Sequence, residues 1–359
     1  MTASFSYWNP TQRVIEPGAF SKIPAIVESF DPKTILLVLG EKSFRTSPYF
    51  QKLEEWLAKY RVIFSEAIPP NPKEDFVQTE VDRLKNQPID LVLAIGGGSV
   101  LDVAKILASR LTQKPIPLIA VPTTAGTGSE VTPYASLESR DRQKITLQHA
   151  SFYPTVAVVD PELCYSMPAY VTASSGFDAL SQAIESYWSV NATPFSQTHA
   201  LRALELIVNH FETVLKEPTH AEARFAMSLA SCEAGLAIAQ TKTTAVHSVS
   251  YPITTHFGVA HGHACALTLA PFVRFNAPVL KEKGKPLLAR FMAKDFEDMA
   301  RKIEKLMESV ALERSLSKLG IDKNGMDLII RDGFRPDRIK NNPRPVDAND
   351  LKEILLTIQ

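Results

Sequence analysis

DLVLAIGGGSVLDVAK, residues 90–105, runs an apolar stretch directly into three glycines, a serine and a helical pattern. LVLAI has no polar alternation, so it suits a strand covered on both faces, as in a parallel sheet flanked by helices. Gly96, Gly97 and Gly98 let the backbone come close to a ligand, and the N–H groups opening the next helix then face it. Three consecutive glycines exceed what a strand-to-helix turn needs, so with Ser99 they read as a phosphate-binding loop. The spacing is not GxGxxG, so the usual dinucleotide fingerprint does not apply.

The same alternation extends on both sides. TILLVLG (34–40), RVIFSEAI (61–68), IPLIAVPTT (116–124) and TVAVVDPELC (155–164) read as strands. SPYFQKLEEWLAKY (47–60), FVQTEVDRLKNQ (76–87) and VLDVAKILASRL (100–111) read as helices between them. This predicts an α/β, Rossmann-like parallel-sheet domain over residues 1–165. VPTTAGTGSEVT (121–132) adds hydroxyls from Thr123, Thr124, Thr127 and Ser129 at a neighbouring strand end. Open parallel sheets bind ligands at that carboxyl edge. From about Phe177 the pattern changes to long helices, which predicts an all-α domain over residues 166–359. KEKGKP (281–286) and RIKNNPRP (338–345) read as loops.

Composition narrows the function classes. A chain of 359 residues favours two domains. Lys plus Arg and Asp plus Glu both number 39, so no basic excess invites nucleic acid. No apolar run has membrane-spanning length, and the first residues lack the pattern of a secretion signal, so a cytoplasmic protein is expected. Cys164, Cys232 and Cys265 are too widely spaced for a disulfide framework or a CxxC metal knuckle, and read as buried thiols.

Four of the eight histidines lie in TKTTAVHSVSYPITTHFGVAHGH, residues 241–263. A helix starting near Phe177 puts Asp178 and Gln182 one turn apart on one face. With His247 and His261 from later helices, a carboxylate there makes a plausible set for a divalent metal. Taken alone, a first-turn acid answering the helix dipole is the simpler reading of Asp178.

PNP at 70–72, IGGGSVLDVAK, PTTAGTGSEVT, VDPEL, GFDAL with AIES, the His247 and His261 spacing, HGHA, RFN and NNPRP occur together along nearly the whole chain. This combination resembles the iron-containing (group III) alcohol dehydrogenases. The resemblance implies a nicotinamide-binding domain with the dehydroquinate-synthase-like fold, a helical metal domain, and an active site in the cleft between them. It implies Fe²⁺ or Zn²⁺ on Asp178, Gln182, His247 and His261. The cofactor set becomes Gly40, Asn71, Gly96, Gly97, Gly98, Ser99, Asp102, Thr123, Thr124, Thr127 and Lys144. A homodimer is common among such proteins.

Two departures from the family pattern bear on chemistry. Gln182 stands where imidazole is expected, and a neutral amide oxygen is a weaker ligand. It could coordinate, hold a metal-bound water, or mark a metal-poor site. Tyr251 stands one turn after His247 where the family often has a proton-relay histidine. A phenol can also donate a proton. His263 is a second relay candidate, and His256 reads as structural or surface.

Lys242, Thr243 and Thr244 replace a small apolar stretch that borders the substrate in the family. One cation and two hydroxyls suit phosphonate oxygens. The segment resembles the phosphonoacetaldehyde reductase branch, which implies reduction of phosphonoacetaldehyde to 2-hydroxyethylphosphonate. A general primary-alcohol or diol dehydrogenase is the alternative, and a nucleotide-binding protein with a decayed metal site is the non-catalytic one. 3-Dehydroquinate synthase shares the architecture but not the PTTAGTGSE and VDPEL set. Gly40 stands where NAD-preferring relatives carry Asp. Lys42 or Ser43 could hold a 2′-phosphate and Glu41 opposes it, so the reading leans to NADPH with NADH open.

Overall fold

The computed structural model describes residues 5–359, which divide into two compact units. One comprises Trp8–Thr124 and Gly128–Tyr165; the other holds Ser166–Gln359 with Ala125–Thr127 and the segment ending at Tyr7. The expected division at 165 differs from this by the two short excursions.

The first unit contains β1 (Gln12–Ile15), α1 (Ile23–Glu28), β2 (Thr34–Leu39), α2 (Pro48–Leu57), β3 (Arg61–Phe64), α3 (Glu74–Leu84), β4 (Leu91–Gly96) and α4 (Gly98–Arg110). β5 (Leu118–Pro122), β6 (Tyr134–Glu138), β7 (Lys144–Gln148) and β8 (Val156–Val159) follow. Six strands form one parallel sheet in the order β1-β8-β5-β4-β2-β3. Ile35, Leu37 and Leu39 enter the core on one face, and Leu36 and Val38 the core on the other. Both faces are covered, which is why the central strands carry no polar alternation. β1 escapes a reading for apolar runs because it is an edge strand, half exposed, containing Gln12 and Arg13. β6 and β7 form a separate antiparallel hairpin, also unread, whose strands alternate with polar residues.

The second unit is helical throughout: α5 (Ala169–Trp188), α6 (Pro194–Lys216), α7 (Ala221–Thr241), α8 (Ala245–Phe257), α9 (His261–Leu280), α10 (Lys285–Arg290), α11 (Phe296–Ser309), α12 (Lys323–Gly333), α13 (Pro336–Ile339) and α14 (Ala348–Leu356). α5 begins at Ala169, eight residues before the expected start near Phe177. The Ser- and Gly-rich opening is not a linker. Its small side chains form a close-packed helix face, on which Gly176 meets the Phe211 ring. Asp178 therefore sits mid-helix, and the first-turn reading of it fails. KEKGKP is likewise helical rather than loop, running from a short turn into α10. Among the described residues, no helix is long and apolar enough to cross a membrane.

Beneath the glycine loop, Lys105 is fully buried. Its Nζ donates to Ser129 Oγ at 2.7 Å, Thr132 Oγ1 at 3.2 Å and the Tyr134 carbonyl at 2.8 Å, tying the loop after β5 to α4. Burial pushes the Glu130 carboxyl up to about 7, with Lys105 opposing. The folded protein then binds more protons than the unfolded chain between the ordinary carboxyl value and about 7, so this group's contribution to stability falls as pH rises through that window. Glu130→Gln should remove that slope, on the order of 3 kcal/mol across the window. Urea unfolding of both proteins between pH 4.5 and 7.5 checks this, and parallel curves would contradict it.

Candidate functional site

In the sheet the chain steps outward from β2 to β3, then back across β2 to β4, so the strand order reverses between β2 and β4. Such a reversal opens a crevice at the carboxyl ends. Gly40 follows β2 there, and β4 delivers Gly96. A Cβ on Gly96 would lie 2.5 Å from the Val100 side chain, so glycine is what lets α4 start directly behind the strand. Gly97 caps α4 and Gly98 opens it, leaving the first N–H groups of a 13-residue helix at the crevice. Asn71 adopts φ +48° and its N–H donates to Ser99 Oγ at 3.3 Å, joining two of the expected cofactor residues. Thr123 donates its N–H to the Gly96 carbonyl at 3.0 Å. Thr124 lies 3.4 Å from where a Gly97 Cβ would be.

The other expected cofactor residues have local tasks. Asp102 accepts from Ser129 Oγ at 2.6 Å and from the Ser136 N–H at 2.8 Å, so it holds the loop and hairpin to α4. Lys144 pairs across the β6–β7 hairpin with Glu138. Thr127 belongs to the helical unit, where its carbonyl faces Gln182 Nε2 at 3.4 Å.

In the helical unit, Asp178, His247, His261 and Cys265 bring potential ligand atoms within 4.8 Å of one another, the one such group among the described residues. Asp178 comes from the middle of α5, His247 from the first turn of α8, and His261 and Cys265 from the first turns of α9. The approach of α9 to α5 depends on Gly262, where a Cβ would lie 1.8 Å from the Ser174 carbonyl oxygen.

His247 is fixed from both sides. Its Nε2 lies 3.3 Å from Asp178 Oδ1, and its Nδ1 contacts Glu185 Oε2. Glu185 is fully buried, and its Oε1 accepts from the Thr244 N–H at 2.8 Å, the Thr244 hydroxyl at 2.7 Å and the His247 N–H at 3.3 Å. It thus caps α8 and orients the imidazole in one step. Burial disfavours a charged His247, but Cys265, Glu185 and Asp178 overrule it and raise its pKa well above the usual value. Burial also opposes ionisation of Asp178, yet His247 and His261 hold its carboxyl below the usual range. Burial pushes the Cys265 thiol up, with His247 opposing. The pocket therefore draws positive charge to its centre.

Gln182 Nε2 donates to Asp178 Oδ1 at 2.9 Å, while its Oε1 is buried with no hydrogen-bond partner. Ser250 Oγ faces His261 Nδ1 at 3.4 Å, and the Tyr251 ring packs on His261 with centroids 5.7 Å apart. A carboxylate, two imidazoles and a thiol, with an orphaned amide oxygen beside them, fit a divalent cation.

Two expectations need correction. His263 has both ring nitrogens committed, Nδ1 toward the Tyr170 hydroxyl at 3.1 Å and Nε2 toward the Glu313 carbonyl at 2.7 Å, so it is not free to relay protons. Thr244 donates to Glu185 and accepts from Trp188 Nε1 at 3.0 Å, which removes its hydroxyl from substrate recognition. His256 Nε2 lies 2.9 Å from Asp332 Oδ2. Glu185 and Cys265 escaped the sequence reading. Their signal was spacing: Glu185 is seven residues after Asp178, and Cys265 four after His261, each on the ligand's own helix face.

The profile described as iron-containing alcohol dehydrogenase matches residues 10–161, and its companion for the C-terminal part of the family matches residues 172–358. The chain belongs to the iron-containing alcohol dehydrogenase family. As a member it is an oxidoreductase of the alcohol dehydrogenase or aldehyde reductase class. This dehydrogenase is 28% identical to the NAD-dependent methanol dehydrogenase of Bacillus methanolicus, covering 98% of each chain. It is 35% identical to the phosphonoacetaldehyde reductase of Streptomyces viridochromogenes over 228 residues, 57% of this chain and 58% of that one. The crystal structure of sulfoacetaldehyde reductase from Bifidobacterium kashiwanohense in complex with NAD⁺ superposes with a TM-score of 0.93 at 32% identity, covering 99% of both chains.

Gly262→Ala in this dehydrogenase should cost about 3 kcal/mol and strip the metal, because the added methyl meets backbone that cannot yield. Unchanged unfolding and full metal content would contradict it. Glu185→Gln should weaken zinc binding about 10- to 100-fold, because it presents an amide N–H to the nitrogen it must hold. Competition with a chromophoric chelator measures it, and wild-type affinity would remove Glu185 from the site.

Proposed function

We propose that the chain reduces phosphonoacetaldehyde to 2-hydroxyethylphosphonate with a reduced nicotinamide cofactor. The observation that carries this reading is the setting of Lys242. It ends α7 with φ +60°, partly buried, and its N–H donates to the Ile238 carbonyl at 2.8 Å. Burial lowers the Lys242 pKa first, and Arg338 and Lys340 lower it further, with Asp337 opposing. Three cations gathered beside one carboxylate leave positive charge for an anionic head group. Thr243 adds a hydroxyl next to Lys242, and its carbonyl is held by Asn341 Nδ2 at 3.0 Å.

Asp178, His247 and His261 are the residues that would hold the metal. When bound, the metal supplies Lewis-acid stabilisation of developing alkoxide charge and the dihydronicotinamide supplies the hydride. Glu185 keeps His247 Nδ1 occupied, so Nε2 is the nitrogen left to the site. Ser250 does the same for His261 Nδ1. Tyr251, its ring tilted against His261 with Arg335 5.8 Å from its ring centre, is the group that returns a proton to the product oxygen. Gly97, Gly98 and Ser99 receive the pyrophosphate on the α4 N-terminus. Gly40 brings no carboxylate against a 2′-phosphate, and Lys42 and Ser43 are exposed beside it. The cofactor reading is therefore NADPH in preference, with NADH accepted.

A second reading is favoured by the sulfoacetaldehyde reductase likeness over the full length. A sulfonate is also a tetrahedral oxyanion on a two-carbon aldehyde, and Lys242 would serve it equally. Oxidation of NADH and NADPH with phosphonoacetaldehyde, sulfoacetaldehyde and propanal separates the readings, with Fe²⁺ or Zn²⁺ restored after chelation. Propanal as the best substrate would remove the anionic class. Lys242→Met should lower kcat/KM for the preferred anionic aldehyde about 10- to 100-fold, mostly through KM, while propanal changes by less than about threefold. An equal loss on all three aldehydes would contradict the head-group role.

A further inference from the structure

We propose that Cys265 is the fourth protein donor to the metal, taking the place that Gln182 leaves vacant. The inference depends on the metal reading above. The resemblance gives four donor positions, and three of them, Asp178, His247 and His261, meet in the structure. The fourth, Gln182, presents nitrogen to the cluster: Nε2 is bonded to Asp178 Oδ1 at 2.9 Å and faces the Thr127 carbonyl at 3.4 Å. An amide N–H is a donor and cannot ligate a cation.

Cys265 fills the gap from another helix. It follows His261 by four residues, so both project from one face of α9. Its Sγ lies within 4.8 Å of the ligand atoms of the other three. The thiol is completely buried. Cys164 and Cys232 are buried as well, but neither belongs to such a group among the described residues. On binding a divalent cation the thiol gives its proton to solvent and ligates as thiolate.

Exchanging an imidazole for a thiolate changes which metal the pocket keeps. Thiolate is the softer ligand, and carboxylate, two imidazoles and one thiolate form a mixed oxygen, nitrogen and sulfur set of the kind zinc accepts. The structure thus assigns this chain a zinc-selective site within a family known for iron. Gln182 Oε1, buried without a partner, would be left to accept a hydrogen bond from a water or a substrate hydroxyl.

The test uses the full-length protein, stripped of metal and reloaded with Co²⁺. Wild type should show visible cobalt bands together with an intense near-ultraviolet sulfur-to-cobalt band. Cys265→Ser should lose the ultraviolet band, keep weakened visible bands and bind zinc at least about tenfold less tightly. Cys232→Ser should keep both. Nicotinamide cofactor binding and circular dichroism report whether each variant is folded. Visible bands without the sulfur band in wild type would overturn the Cys265 assignment and leave the metal reading standing, as would a sulfur band that survives in Cys265→Ser. Failure of wild type to bind Co²⁺ or Zn²⁺ would overturn both.

Discussion

The helical unit turns on one close approach of two backbones. Gly262 lies against the Ser174 carbonyl at a distance no side chain could share. That contact brings the start of α9 onto the middle of α5, and with it His261 and Cys265 beside Asp178. Each helix is mostly apolar and would find a core without this contact. The polar residues would not find one another. A missing methyl group is therefore a condition for the chemistry.

Around that contact the polar groups form a closed chain of obligations. Trp188 donates to the Thr244 hydroxyl, which donates to Glu185, which holds His247, which faces Asp178. Every member is buried, so a break at any point would leave a polar group in a low-dielectric interior without its partner. Such a network makes a rigid ligand set, which suits a site that must accept charge during the reaction without rearranging. The two asparagines in the RFN and NNPRP motifs act similarly: Asn276 and Asn342 exchange amide hydrogen bonds at 3.2 and 2.8 Å, fastening the late loop to α9.

The sheet was legible because burial on both faces leaves a continuous apolar run, as in residues 34–39 and 91–96. β1 was not, because an edge strand needs no such run. The meeting of Asp178, His247 and His261 was expected through family resemblance more than through spacing, since they come from three helices. Glu185 and Cys265 were hidden for a different reason. An acid or a thiol inside an apolar helix has the same letters whether it is a bystander or part of a site, and only the facing helix distinguishes the two. The start of α5 was misjudged because Ser, Thr and Gly signal loops in isolation and close packing in context. His263 shows the converse: a histidine beside a ligand in sequence, with both nitrogens occupied elsewhere.

The chain does not finish one unit before starting the other. It passes from one to the other at 7/8, 124/125, 127/128 and 165/166. Three of these passages lie within the sequence that would be assigned to the nucleotide half. Cutting at 165/166 would deprive the helices of residues 125–127, including the carbonyl that steadies Gln182. Neither half is thus a cassette that recombination could lift out whole. New substrate preferences in such an architecture are more readily reached by exchanging single residues at the pocket than by trading one half for another.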